Sequence, residues 1–150
     1  MVAALEAKTK APSAFYRVMA NRPDVLKNFP AFYGAIMGPG PTERRVKEAV
    51  YLAVSFANKC NFCTTAHIAG AKRAGLSDAE IEAIRSESDA GLSDGERAAV
   101  AYARNLTRTA TASRDGLEGH FTGEQIVEIT LVAATANFTN RFNNALDVQP

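Results

Sequence analysis

Glu48-Ala49-Val50-Tyr51-Leu52-Ala53-Val54-Ser55-Phe56-Ala57-Asn58-Lys59-Cys60-Asn61-Phe62-Cys63-Thr64-Thr65-Ala66-His67 is the stretch that decides how this chain folds. From Ala49 to Val54 it is apolar on nearly every side, and a helix of that kind belongs in the interior. Glu48 opens it, and a carboxylate is rarely buried without a partner. Asn58-Lys59 then interrupts the pattern. Cys60, Cys63 and His67 follow at i, i+3 and i+7, which share one face if the segment is helical. If Asn58-Lys59 reverses the chain, Glu48 and His67 stand at similar heights on adjacent antiparallel helices, at about 1.5 Å of rise per residue. A Glu48–His67 hydrogen bond is therefore expected, fixing the imidazole tautomer and raising its basicity.

Outward from this hairpin the pattern stays helical. Pro12-Ser13 opens a short segment carrying Phe15, Val18 and Met19. Pro23-Asp24 opens a second with Val25, Leu26, Phe29, Phe32, Tyr33 and Ile36, ended by Gly38-Pro39-Gly40-Pro41, and Pro30 is expected to kink or split it. Thr42 is the expected N-cap of the apolar helix, and Gly75 closes the cysteine helix. Three capping boxes follow: Ser77-Asp78-Ala79-Glu80, Ser93-Asp94-Gly95-Glu96 and Thr122-Gly123-Glu124-Gln125. The stretch Thr109 to Gly119 reads as a polar loop, and no segment alternates as a strand would. The expectation is one all-α domain over residues 1–150, with roughly seven helices.

Composition narrows the function classes. A chain of 150 residues buries a real core without disulfide staples. Seventeen basic and sixteen acidic residues nearly cancel, which argues against nucleic acid or an anionic membrane as partner. The N-terminus lacks a signal-peptide pattern and no run of eighteen apolar residues exists, so the expectation is a soluble, cytoplasmic protein. In a reducing compartment a lone CxxC is redox-active or metal-binding more often than structural.

Two residues three apart in a helix have Cα atoms roughly 5 Å apart, within disulfide reach. A disulfide closing so small a loop adds little through unfolded-state entropy, so its better use is to be made and broken. One thiol must then ionise near neutral pH. The helix N-terminus favours Cys60, whereas His67 at i+4, about 6 Å along the axis, favours Cys63. Only Cys63 comes within reach of the base, directly or through one water. Cys63 is the expected attacking thiol, Cys60 the resolving one, and Glu48–His67 the proton relay.

Glu48, eleven residues, then Cys60-x-x-Cys63-x-x-x-His67 resembles the signature of the AhpD-like alkylhydroperoxidases, within the carboxymuconolactone decarboxylase superfamily. The resemblance runs from about Gly38 to about Arg85, and the tail Asn140-Arg141-Phe142-Asn143-Asn144-Ala145-Leu146-Asp147 resembles that of the peroxidase-related members. It implies an all-helical fold assembling as a homo-oligomer, a trimer or hexamer. It also implies thiol-dependent peroxide reduction without haem, flavin, metal or other cofactor, with Cys63 peroxidatic, Cys60 resolving, and His67 and Glu48 in the relay. The implied partners are a small-molecule peroxide and an external dithiol. The best-studied members carry a second histidine directly before the second cysteine, where this chain has Phe62. The decarboxylase branch lacks the CxxC pair, so the cysteines argue against that activity.

Plainer readings stand beside these. Cys60 and Cys63 fit two inert core thiols, or part of a structural zinc site with His67 and either Glu48 or His120. Glu48 has an ordinary ion-pair alternative in Arg44 or Arg45, and Arg44-Arg45-Val46-Lys47 reads as a solvated helix start. Tyr51 and Phe62 fit either core or pocket, and His120 reads as structural or solvated. The asparagine-rich tail fits helix capping, a subunit contact or a pocket wall. The functional alternative to a peroxidase is a redox-sensing or non-catalytic oligomer of the same fold.

Overall fold

A computed structural model describes residues 1–9 and 13–150; Pro12, read as opening the first segment, lies outside them. Among the described residues the secondary structure is all helical: α1 (Val2–Thr9), α2 (Ala14–Met19), α3 (Pro23–Met37), α4 (Arg44–Ala57), α5 (Asn61–Arg73), α6 (Asp78–Ser86), α7 (Asp94–Thr109), α8 (Asp115–Glu118) and α9 (Gly123–Ala145). No helix there is long and apolar enough to cross a membrane.

The apolar stretch explains the architecture. Every residue of α4 from Val46 to Ser55 is buried, because α5, α6, α7 and α9 pack around it. One side of α4 (Val46, Val50, Tyr51, Val54) meets Cys60, Cys63, Ile129, Val132, Ala133 and Ala136. The other side (Ala49, Leu52, Ala53) meets Ala71, Leu76, Ile81, Ile84 and Val100. A third, aromatic cluster of Phe15, Met19, Leu26 and Phe29 lies over the cysteines, with Tyr33, Phe62 and Phe142 packed against it.

The α4–α5 reversal falls where the sequence breaks. Lys59 adopts a left-handed backbone (φ 53°), and Cys60 stands extended as the N-cap of α5. Gly75 at φ +97° ends α5, a conformation that side chains with a Cβ rarely tolerate. All three capping boxes form, on Ser77, Ser93 and Thr122, each with its reciprocal hydrogen bond.

Four local expectations are corrected. Nine helices stand among the described residues, where roughly seven were expected. α1 is additional, and α8 is a single turn inside the 109–119 loop, held by fully buried Leu117. α3 runs unbroken through Pro30, because Leu26, Phe29, Ile36 and Met37 on either side are buried and their packing outweighs the lost backbone bond. Thr42 is not the N-cap: its N–H donates to Glu128 Oε2 at 2.7 Å, which holds it outside a helix starting at Arg44. Lys47 is not solvated. Its ammonium is buried against Glu128 Oε1 (2.5 Å) and the carbonyls of Ile36 and Gly38, which satisfy all three of its donors.

Candidate active site

α4 and α5 bring the predicted residues together. Glu48 is fully buried on α4, and its Oε2 lies 2.7 Å from His67 Nδ1 on α5. Its Oε1 takes two hydrogen bonds from Arg44, at 2.8 and 2.6 Å. Glu48 therefore pairs with Arg44 through one oxygen and with His67 through the other. Burial pushes the Glu48 pKa up, yet the bond and charge of His67 and the charge of Arg44 leave it below the usual carboxylate range. An ionised Glu48 accepts, so Nδ1 of His67 carries a proton. Arg45 is occupied elsewhere, with Glu80, Glu96 and the Gly75 carbonyl.

The approach of α5 depends on Gly70, one turn beyond His67. A Cβ there would lie 2.7 Å from Glu48 Oε1 and 2.9 Å from its Cδ. Glycine lets the two helices close on the carboxylate.

His67 is held on three sides. Its ring stacks on Tyr51 with centroids 3.5 Å apart and planes 13° from parallel. Its Nε2 lies 3.0 Å from the Tyr33 hydroxyl on α3. Both ring nitrogens are thus engaged, by Glu48 and Tyr33, and neither is bonded to a cysteine. The sequence reading sets His67 one helical turn from Cys63; in the structure Glu48 and Tyr33 orient the ring.

Cys63 is nonetheless the more acidic thiol. Both cysteines are free and buried. A hydrogen bond from the Cys60 thiol is the main reason Cys63 is held down to about 7, against an ordinary value of 9.0. Burial opposes this, and Asn143, Asn140 and Thr139 on α9 assist it. Cys60 is pushed well up by its bond to Cys63 and by burial. The two sulfurs titrate as a pair, and the charge goes to Cys63. Asn143 Nδ2 donates to Cys63 Sγ at 3.2 Å, while the Cys60 sulfur, at the N-cap, accepts the Cys63 backbone N–H at 3.3 Å.

The asparagines near the end of α9 therefore serve the site. Asn58 Nδ2 donates to Asn137 and Asn140, Asn140 donates to Ser55 Oγ, and Asn144 donates to the Asn58 carbonyl. This clamp ties α9 to the α4–α5 turn and places Asn143 over Cys63. Among the described residues the buried Oδ1 of Asn143 meets no hydrogen-bond partner.

A cavity of about 260 Å³ opens onto this group, its wall mostly apolar, with Phe15, Phe29, Tyr33, Tyr51, Phe62, Cys63, His67 and Asn143 in it. Cys63 forms part of that wall and Cys60 does not. Tyr51 and Phe62 line the cavity and also belong to the core packing. His120 is exposed, its ring beside Phe121, and it lies outside the cavity. Among the described residues no three His, Cys, Asp or Glu side chains form a metal-holding group. Tyr33 and Asn143 are the site residues that sequence reasoning did not assign.

Residues 23–105, more than half of the chain, match the carboxymuconolactone decarboxylase family, and the chain belongs to it. No curated protein matches the sequence. Solved structures share the fold. A peroxidase-related protein from Silicibacter sp. TM1040 aligns with a TM-score of 0.88 at 24% identity, over 99% of this chain and 82% of its own. A peroxidase-related protein with an alkylhydroperoxidase AhpD core, from Ralstonia eutropha JMP134, aligns at 0.87 and 23%, over 99% and 82%. The debrominase Bmp8, solved as a variant with 2,3,4-tribromopyrrole, aligns at 0.84 and 23%, over 97% and 80%. The fold is thus AhpD-like, in a chain of the carboxymuconolactone decarboxylase family.

Proposed function

We propose that the protein is a thiol-dependent reductase of organic hydroperoxides. The observation that carries this reading is the placement of Cys63. The lower-pKa thiol stands on the wall of an apolar cavity, with Cys60 hydrogen-bonded to it and set back from that wall. The Cys63 thiolate attacks the terminal oxygen of R–O–OH, the O–O bond breaks, and Cys63 becomes a sulfenic acid as RO⁻ leaves and is protonated. The Cys60 thiol then displaces water from the sulfenic sulfur to form the disulfide. An external dithiol returns both cysteines to thiols. His67 and Glu48 hold the proton that Cys63 gives up and return it to the leaving group.

The test is steady-state turnover of cumene hydroperoxide with dithiothreitol as reductant. Many turnovers per subunit, lost in Cys63→Ser and reduced at least tenfold in His67→Gln, support the reading. A single oxidation without turnover supports a redox sensor instead. Reductive debromination is a second reading, favoured by the ring-lined cavity and the likeness to the debrominase. Bromide release from a brominated pyrrole tests it.

A further inference from the structure

His67 has no free nitrogen facing the cavity, yet the cavity is where a leaving oxygen needs its proton. Nδ1 is held by Glu48 and Nε2 by the Tyr33 hydroxyl at 3.0 Å. Tyr33 lines the same cavity as Cys63. Two neighbours are unsuited to this step. Tyr51 also lines the cavity, but its hydroxyl sits 2.5 Å from Thr139 Oγ1, whose own hydrogen goes to the Ala136 carbonyl. Tyr51 is therefore the donor in that pair, and its proton is committed. Phe62, beside Cys63, has no proton to give.

We propose that Tyr33 is a catalytic residue, the general acid that hands a proton to the oxygen leaving Cys63. The proposal rests on the hydroperoxide reading above. Before attack the Cys63 proton resides on Nε2 of His67, whose imidazolium is balanced by the Glu48 carboxylate. Nε2–H then donates to the Tyr33 oxygen, and the Tyr33 O–H is free to point into the cavity. As the Cys63–O bond forms and the O–O bond breaks, RO⁻ takes the Tyr33 proton and leaves as ROH. Tyr33 recovers a proton from Nε2, and His67 returns to its neutral Nδ1–H form. In sum, thiol and hydroperoxide become sulfenic acid and alcohol. Burial holds the Tyr33 hydroxyl well above an ordinary phenol, so it stays protonated at neutral pH. An alkoxide, comparable in basicity to hydroxide, remains the stronger base and draws the proton.

The experiment compares two oxidants of similar size on the reduced protein. Cumene hydroperoxide expels an alkoxide that needs a proton, whereas peroxybenzoic acid expels a carboxylate that does not. Tyr33→Phe should slow Cys63 oxidation by cumene hydroperoxide about 100-fold, the scale of general-acid catalysis, and change the peroxybenzoic acid rate by no more than about threefold. 3-Fluorotyrosine at position 33 keeps both shape and proton, and should hold the hydroperoxide rate within about threefold of wild type. Equal loss with both oxidants, loss with neither, or a fluorotyrosine protein as slow as Tyr33→Phe overturns the assignment. If wild type reacts with peroxybenzoic acid but not with cumene hydroperoxide, the hydroperoxide reading itself falls, and Tyr33's role with it.

Discussion

Asn143 Nδ2 donates to Cys63 Sγ at 3.2 Å, joining the end of the last helix to the start of the fifth, 80 residues earlier. The bond favours thiolate over thiol, and it exists because Asn137, Asn140 and Asn144 clamp α9 onto the α4–α5 turn. A hydrogen bond to a charged group contributes about 1.5–3 kcal/mol. Asn143→Ala should therefore move the Cys63 titration up by about one pH unit or more, at ~1.4 kcal/mol per unit. Thiolate absorbance near 240 nm against pH measures it.

Cys60→Ala should act twice. It removes the largest influence holding Cys63 down, so Cys63 titrates above about 7. It also removes the resolving thiol, so peroxide treatment should stop at a sulfenic acid. Mass spectrometry should find one dimedone adduct per subunit, on Cys63.

The pH dependence follows from the direction of the Cys63 shift. Its folded value, about 7, lies below the ordinary thiol value, so the thiolate dominates above pH ~7 and the thiol below. The rate of Cys63 oxidation should rise about eightfold from pH 6 to pH 7.5 and then level off. Glu48 acts on stability. Its folded pKa is depressed, so its contribution is present above the unfolded value of about 4.3 and is lost as the pH falls below it. Glu48→Gln should flatten the acid limb of a melting-temperature profile between about pH 5 and pH 3.

The helical fold was legible because its causes are local. The capping boxes on Ser77, Ser93 and Thr122, the apolar helix through Val50 and Val54, and the break at Asn58-Lys59 are all written in adjacent residues. Glu48 and His67 could be paired because a hairpin of known rise fixes their heights. Tyr33 and Asn143 could not be assigned, since each reaches the site across a tertiary contact. Tyr33 sits in an apolar helical pattern with Phe29 and Ile36, where its hydroxyl carries no signal. Asn137, Asn140 and Asn143 left a visible trace, a polar stripe at helical spacing, but not its destination. Lys47 misled for the same reason: its partner Glu128 lies 81 residues away.

Gly70 offers a test of the hairpin. In Gly70→Ala the new Cβ meets the Glu48 carboxylate, buried and fixed by Arg44 and His67, at 2.7 Å. The helices must part or the carboxylate must move. Overpacking of this kind costs about 1–3 kcal/mol. Denaturant unfolding should show that loss, and the oxidation rate should fall even in the folded variant, because Glu48 is displaced from His67.

The most direct measurement is a single-turnover thiol count. The reduced protein is mixed with one equivalent of cumene hydroperoxide, and free thiols and intact mass are read together. Reduction by the Cys63–Cys60 pair requires that both thiols vanish, that the subunit mass fall by about two hydrogens as a disulfide forms, and that Cys63→Ser keep its remaining thiol. If both thiols persist at their starting level while the peroxide remains unconsumed, Cys63 is not a peroxide-reducing thiol.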